Sequence, residues 1–111
     1  MFEPDSHILF VYGTLLDETK RFEIFGRELA LVPDSIEGYG RSQVVGTDGV
    51  YPTIVPGGTE VIEGGLLYGL TDAEMRLGDA YETHLYIRQA VQTRNGKHAW
   101  TYIGYPESYW W

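Results

Sequence analysis

The residues best placed to do chemistry lie in two distant parts of the chain. Late in the sequence, Glu82 falls at or just past the end of a predicted helix, followed by Tyr86 and Arg88 on one face of a predicted strand. A carboxylate near a helix C-terminus meets the negative end of the dipole, and enclosure by Tyr81 and Tyr86 would raise its pKa further. Such a group is prepared to shuttle a proton. A surface glutamate, or one paired with Arg88 for structure, is the plainer alternative. Early in the sequence, Ile8-Leu9-Phe10-Val11-Tyr12 runs without a charge into Gly13-Thr14-Leu15. The run suits a strand covered on both faces. Gly13 then breaks it, either by adopting angles closed to other residues or by letting a ligand approach the main chain. The freed amides of Gly13, Thr14 and Leu15 could receive a carboxylate or a developing oxyanion. An ordinary strand–turn without a ligand is the alternative here.

Other chemistries find less support. The chain has no cysteine, which excludes disulfides, thiolate metal sites and a thiol nucleophile. His7, His84 and His98 have no ligand spacing, so no metal site and no cofactor are expected. The serines lack a nucleophile-elbow context, and Thr14 has no assignable base, which leaves it a hydrogen-bonding role. Gly57-Gly58 and Gly64-Gly65 open no helix with a lysine and so form no phosphate loop.

The elements that must position these groups follow from the pattern of the chain. At 111 residues it is expected to form a single domain, 1–111. A first strand over about 7–12 leads into the Gly13 turn. Asp17 is expected to cap a short helix through Phe25, with Phe22 and Phe25 on one side and Gly26 as the stop. A strand over about Ser35–Val45 follows, then a short one at Tyr51–Val55 closed by Pro56-Gly57-Gly58. Pro52 places that strand at an edge or a start. Thr59–Leu70 reads as a long glycine-bearing strand of the kind found in a closing barrel. Thr71 and Glu74 have capping-box spacing for a second helix, with Ala73, Leu77, Ala80 and Tyr81 at helical intervals and Gly78 inside it. Leu85–Arg94, the Asn95-Gly96 turn and Lys97–Tyr105 read as a hairpin. The expected class is α+β, a small mixed β-barrel with one or two flanking helices.

Net charge of −8 repels nucleic acid and anionic lipid, and no apolar run reaches membrane-spanning length. Glu3 and Asp5 stand where a signal peptide would carry basic residues, so the cytoplasm is the expected location. The terminal Tyr109-Trp110-Trp111 could pack on the protein's own core or over the barrel mouth, or form a homodimer contact.

Val11-Tyr12-Gly13-Thr14-Leu15, the aromatic-Pro step Tyr51-Pro52, and Asp79-Ala80-Tyr81-Glu82 followed by Tyr86-Ile87-Arg88 together resemble the gamma-glutamylcyclotransferase-like (AIG2-like) family in order and separation. The resemblance implies a small mixed β-barrel. It also implies release of 5-oxoproline and an amine from a small gamma-glutamyl substrate, without a metal. Carried over residue by residue, it makes Glu82 the general acid/base and Tyr12, Gly13, Thr14 and Leu15 the substrate cradle. Tyr86 shapes the pocket, and Pro52, Asp79 and Arg88 support it. Thr83 and Gly78 stand where many relatives have Gly and Leu. A non-catalytic module of the same fold that binds small carboxylates is the alternative. The leaving amine is left open.

Overall fold

The computed structural model describes residues 7–46 and 49–104. The terminal Tyr109-Trp110-Trp111 lies outside them. Five strands, β1 (His7–Val11), β2 (Val32–Gly46), β3 (Gly49–Leu70), β4 (Tyr86–Gln92) and β5 (His98–Gly104), form one sheet in the order β2-β3-β1-β5-β4. Helices α1 (Glu18–Phe25) and α2 (Asp72–Glu82) flank it. Among the described residues only the β1–β5 pairing is parallel. The sheet curls into a half-barrel, as expected. Its outer strands meet through sparse contacts: the Arg94 amide donates to the Ser35 carbonyl at 2.8 Å, and the Gln89 amide group to the Tyr39 hydroxyl at 3.3 Å.

β1 is buried on both faces, as its uncharged run predicts. Phe10 packs with Ile36, Ile54, Ile62 and Ile103 inside the curl. Leu9 and Val11 pack on the other face with Phe25, Leu67, Leu70 and Met75, where the helices lie. Each fully buried aliphatic or aromatic side chain of this kind contributes about 1.5–3 kcal/mol.

Both helices begin where the caps predict. The Asp17 carboxylate accepts from the Lys20 amide at 3.3 Å, and α1 ends at Gly26 with φ +75°. The Thr71–Glu74 capping box is complete, with bonds of 3.0 and 2.9 Å. The buried faces differ from the sequence reading. On α1, Arg21 and Phe25 face inward while Phe22 is 53% exposed. On α2, Glu74, Met75 and Gly78 face inward while Leu77 is 46% exposed. Glu74 is accommodated because Arg27 grips its carboxylate with two bonds of 2.6 and 2.9 Å. Gly78 brings α2 close against β5, since a Cβ there would stand 2.7 Å from the Tyr102 hydroxyl.

The expected break at Pro56-Gly57-Gly58 does not occur. β3 continues through it, and Tyr39 of β2 pairs with both Pro56 and Glu60, so the intervening residues bulge. β2 likewise starts earlier than expected, at Val32. Pro52 does lie on a local edge, because β1 pairs with β3 only between Gly65 and Leu70. Among the described residues the Gly49–Ile62 half of β3 is paired with β2 alone. Among the described residues no helix is long and apolar enough to cross a membrane.

Candidate active site

The chain leaves the sheet after Val11 and makes a single 3-10 turn over Thr14–Leu16. Gly13 has φ −124°, so it does not use the left-handed angles open to glycine. Its ψ is −128°, and a Cβ there would meet nothing within 4 Å, so the glycine leaves open space beside the turn. Within the turn, the amides of Leu16 and Asp17 donate to the carbonyls of Gly13 and Thr14 at 3.0 and 3.1 Å. Among the described residues no backbone acceptor takes the amides of Gly13, Thr14 or Leu15. That follows from turn geometry, in which the first amides have no carbonyl before them to bond.

Glu82 is the last residue of α2. Directly after it the backbone reverses through Thr83, which has φ +62° and ψ −167° and is the one non-glycine residue at positive φ among those described. The turn and the glutamate face a common cavity of about 320 Å³. Tyr12, Gly13, Thr14 and Leu15 line it from one side, Glu82 and Thr83 from another, and Tyr51, Pro52 and Tyr86 from a third. Burial pushes the Glu82 carboxyl up to about 7.

The aromatic walls are pinned by hydrogen bonds. The Tyr86 hydroxyl donates to the Pro52 carbonyl at 2.7 Å, which ties β4 to the edge of β3. Burial, and next the charge of Glu82, push the Tyr86 hydroxyl pKa up, so it stays a donor. The Tyr12 hydroxyl donates to the Tyr102 carbonyl. Thr14 Oγ1 and the Tyr81 hydroxyl are 2.7 Å apart, which links the turn directly to α2 one residue before Glu82.

Asp79 and Arg88 do not line the cavity. They sit behind it: Asp79 Oδ1 accepts from Arg88 Nε at 2.9 Å and from the Tyr102 hydroxyl at 2.7 Å. The Arg88 guanidinium also stacks over Trp100, 5.4 Å from the ring centroid. The last turn of α2 is thereby fastened to β4 and β5. The alternative pairing of Glu82 with Arg88 is not seen, since Arg88 is committed to Asp79.

Sequence reasoning missed Tyr102 as a wall of this cavity. Its approach depends on the parallel β1–β5 pairing, in which Leu9 meets Trp100, and no local pattern announces that pairing. Arg21 was missed as well, because a single arginine on a short helix reads as solvated. Among the described residues no three of His, Asp or Glu converge to hold a metal.

A curled mixed sheet whose first-strand bend and second-helix carboxylate share a cavity defines a class of small acid-bearing half-barrel domains. The chain matches the model of the gamma-glutamyl cyclotransferase, AIG2-like family over residues 9–109 and belongs to that family. It is 36% identical over 87 residues to AIG2-like protein C of Arabidopsis thaliana, a match covering 78% of this chain and 49% of that protein. It superposes with a TM-score of 0.76 on an Arabidopsis thaliana protein solved in solution, at 30% identity over 98% of this chain and 70% of that one. A yeast gamma-glutamyl cyclotransferase specific to glutathione shares the fold, with a TM-score of 0.70 at 15% identity over 90% of this chain and 69% of that one. The chain spans about half the length of the curated relatives it matches.

Proposed function

We propose that this domain is a cyclotransferase that releases 5-oxoproline and an amine from a gamma-glutamyl compound, with Glu82 as general acid/base. The observation that carries this reading is one half-buried carboxyl group, without a counter-charge among the described residues and poised near neutrality, in the cavity that the Gly13–Leu15 turn also lines. A general base is most useful when its pKa lies near the working pH.

The substrate α-amine arrives as an ammonium ion. Glu82 takes one proton from it, and the freed nitrogen lone pair attacks the γ-carbonyl carbon. The five-membered ring closes and the carbonyl electrons move onto oxygen. Glu82 passes that proton to the departing nitrogen and then takes the second proton from the ring nitrogen, which still carries two hydrogens and a positive charge. As the oxyanion collapses, the bond to the departing nitrogen breaks, leaving the neutral lactam, and Glu82 gives its second proton to the amine, which leaves as an ammonium ion. No covalent enzyme intermediate is required. Folding the substrate within the tyrosine walls supplies proximity, which in favourable cases replaces about 7–11 kcal/mol of barrier. The free amides of Gly13, Thr14 and Leu15 hold the substrate carboxylate or the oxyanion. Tyr86 and Pro52 keep the wall opposite the turn in place, while Asp79 and Arg88 hold the end of α2. Such a reaction suits a cytoplasmic protein acting on small metabolites.

The test is a screen for 5-oxoproline release across gamma-glutamyl amines and peptides, repeated with Glu82→Gln. The reading expects turnover by the wild type and its loss, by at least about a hundredfold, in a folded variant. A variant as active as the wild type on a confirmed substrate would falsify the assignment of Glu82. The absence of 5-oxoproline from every substrate tried would count against catalysis altogether.

A further inference from the structure

The turn bearing Gly13, Thr14 and Leu15 is held from behind by one cation. Arg21 of α1 is 5% exposed. Its Nε donates to the Leu29 carbonyl at 3.2 Å, and one terminal nitrogen donates to the carbonyls of Leu15 and Leu16 at 3.1 and 2.8 Å. Among the described residues no carboxylate pairs with it. A buried charge without a counter-ion is costly and must be carried by dipoles. Stapling α1 to the turn is one use for these bonds, but the path they continue along indicates another.

The Leu15 carbonyl shares a peptide group with the Leu16 amide, which donates to the Gly13 carbonyl; that carbonyl shares a peptide group with the Thr14 amide. The Leu16 carbonyl shares one with the Asp17 amide, which donates to the Thr14 carbonyl; that one ends at the Leu15 amide. Two relays therefore run from one guanidinium, each through two peptide groups, to an amide that no backbone acceptor takes among the described residues. Hydrogen bonds in such chains polarise one another. The amides of Thr14 and Leu15 become stronger donors, and a cavity with no lysine or arginine in its walls among the described residues acquires positive potential.

We propose that Arg21 is a positioning residue that fixes and polarises the Thr14 and Leu15 amides, and so sets the preference of the cavity for a carboxylate-bearing ligand over its neutral counterpart. The inference rests on the turn being the cradle, and it extends that reading to a residue outside the cavity.

The experiment is an amide-resolved NMR titration of the full chain with 5-oxoproline and, separately, with its carboxamide. Wild type, Arg21→Lys and Arg21→Gln are compared. In the wild type, 5-oxoproline is expected to move the Thr14 and Leu15 amide resonances and to bind more tightly than the carboxamide. Arg21→Gln is expected to lose about tenfold in 5-oxoproline affinity with carboxamide affinity unchanged, and Arg21→Lys to stay within about threefold of wild type. Equal loss for both probes would mean a staple only and overturn the proposal. So would an unchanged carboxylate preference in Arg21→Gln, or no response of Thr14 and Leu15 in the wild type. If Arg21→Gln does not fold, Arg21→Lys decides: retained preference for the carboxylate supports the proposal, and its loss overturns it. Binding at Thr14 and Leu15 without turnover of any gamma-glutamyl compound would refute the cyclotransferase reading while supporting this one.

Discussion

Replacing Glu82 by glutamine should make the protein more stable at neutral and alkaline pH, even as it removes turnover. Burial pushes the carboxyl from an ordinary 4.5 up to about 7, with no opposing charge or hydrogen bond among the described residues. The folded chain therefore binds this proton more tightly than the unfolded chain does. Below the unfolded value Glu82 is protonated in both states and opposes nothing. As pH rises from there towards 7, the unfolded chain ionises first, and folding loses stability with each step; above 7 the loss levels off. At about 1.4 kcal/mol per pH unit, the gap corresponds to about 3 kcal/mol, reduced to about 2 by residual contact with solvent.

Glutamine keeps the shape and removes the titration. Its own burial cost is independent of pH and cancels when the pH dependence is compared. Urea unfolding of both proteins, followed by tryptophan fluorescence at about pH 4 and about pH 8, isolates the effect. The stability difference, variant minus wild type, should grow by about 2 kcal/mol between the two conditions. Other carboxylates contribute equally to both proteins and drop out. A difference that stays flat would mean that Glu82 is solvated in the folded state, and the argument for a poised base would fail with it.

Two further substitutions test the frame around the glutamate. Thr83 holds angles that are essentially reserved for glycine, at a cost of about 1–3 kcal/mol, while glycine adds back about 0.5–1 through unfolded-state freedom. Thr83→Gly should therefore stabilise the protein by about 1 kcal/mol in the same urea assay, and a clear loss would contradict the observed backbone. Gly78→Ala should go the other way. Helix propensity favours alanine by about 1 kcal/mol, but the new methyl would press on a Tyr102 hydroxyl already fixed on Asp79, giving a net loss of about 1–2 kcal/mol. A variant more stable than the wild type would show that α2 can move away from β5.

The parts legible in the sequence were those fixed by local rules. The uncharged run of β1, the Asp17 and Thr71 caps, the Gly26 stop and the Asn95-Gly96 turn each rest on a few neighbouring residues, and each is where it was expected. The helix faces were misread for one reason in both cases. Apolar spacing nominated Phe22 and Leu77, but the inward positions are taken by Arg21, which meets backbone carbonyls, and by Glu74, which meets Arg27. A polar side chain with partners waiting for it can outcompete an apolar one, and periodicity contains no record of partners. The bulge in β3 was hidden similarly. Pro56-Gly57-Gly58 is a breaker by composition, but Gly58 lies so close to Tyr39 that a Cβ would stand 2.5 Å from its backbone, and the strand continues past it.

An electrostatic difficulty links these observations to function. A chain of net charge −8 with a glutamate in its cavity is a poor host for a substrate that brings its own carboxylate. A lysine or arginine in the wall would draw the substrate in, but at short range it would also stabilise the Glu82 anion and pull its pKa back down. A cation placed behind the turn, acting through peptide groups, separates the two demands. It strengthens the amides of a turn that lines the cavity, while Arg21 itself is not among the residues lining it. Arg21 occupies such a place, and among the described residues its hydrogen bonds all go to backbone carbonyls. On this argument Arg21→Gln should weaken carboxylate binding yet leave the pKa of Glu82 within about half a unit of the wild type. The pH dependence of stability reads that pKa directly. A large parallel shift of both quantities would mean that acid and cradle share one field, and that the separation does not exist.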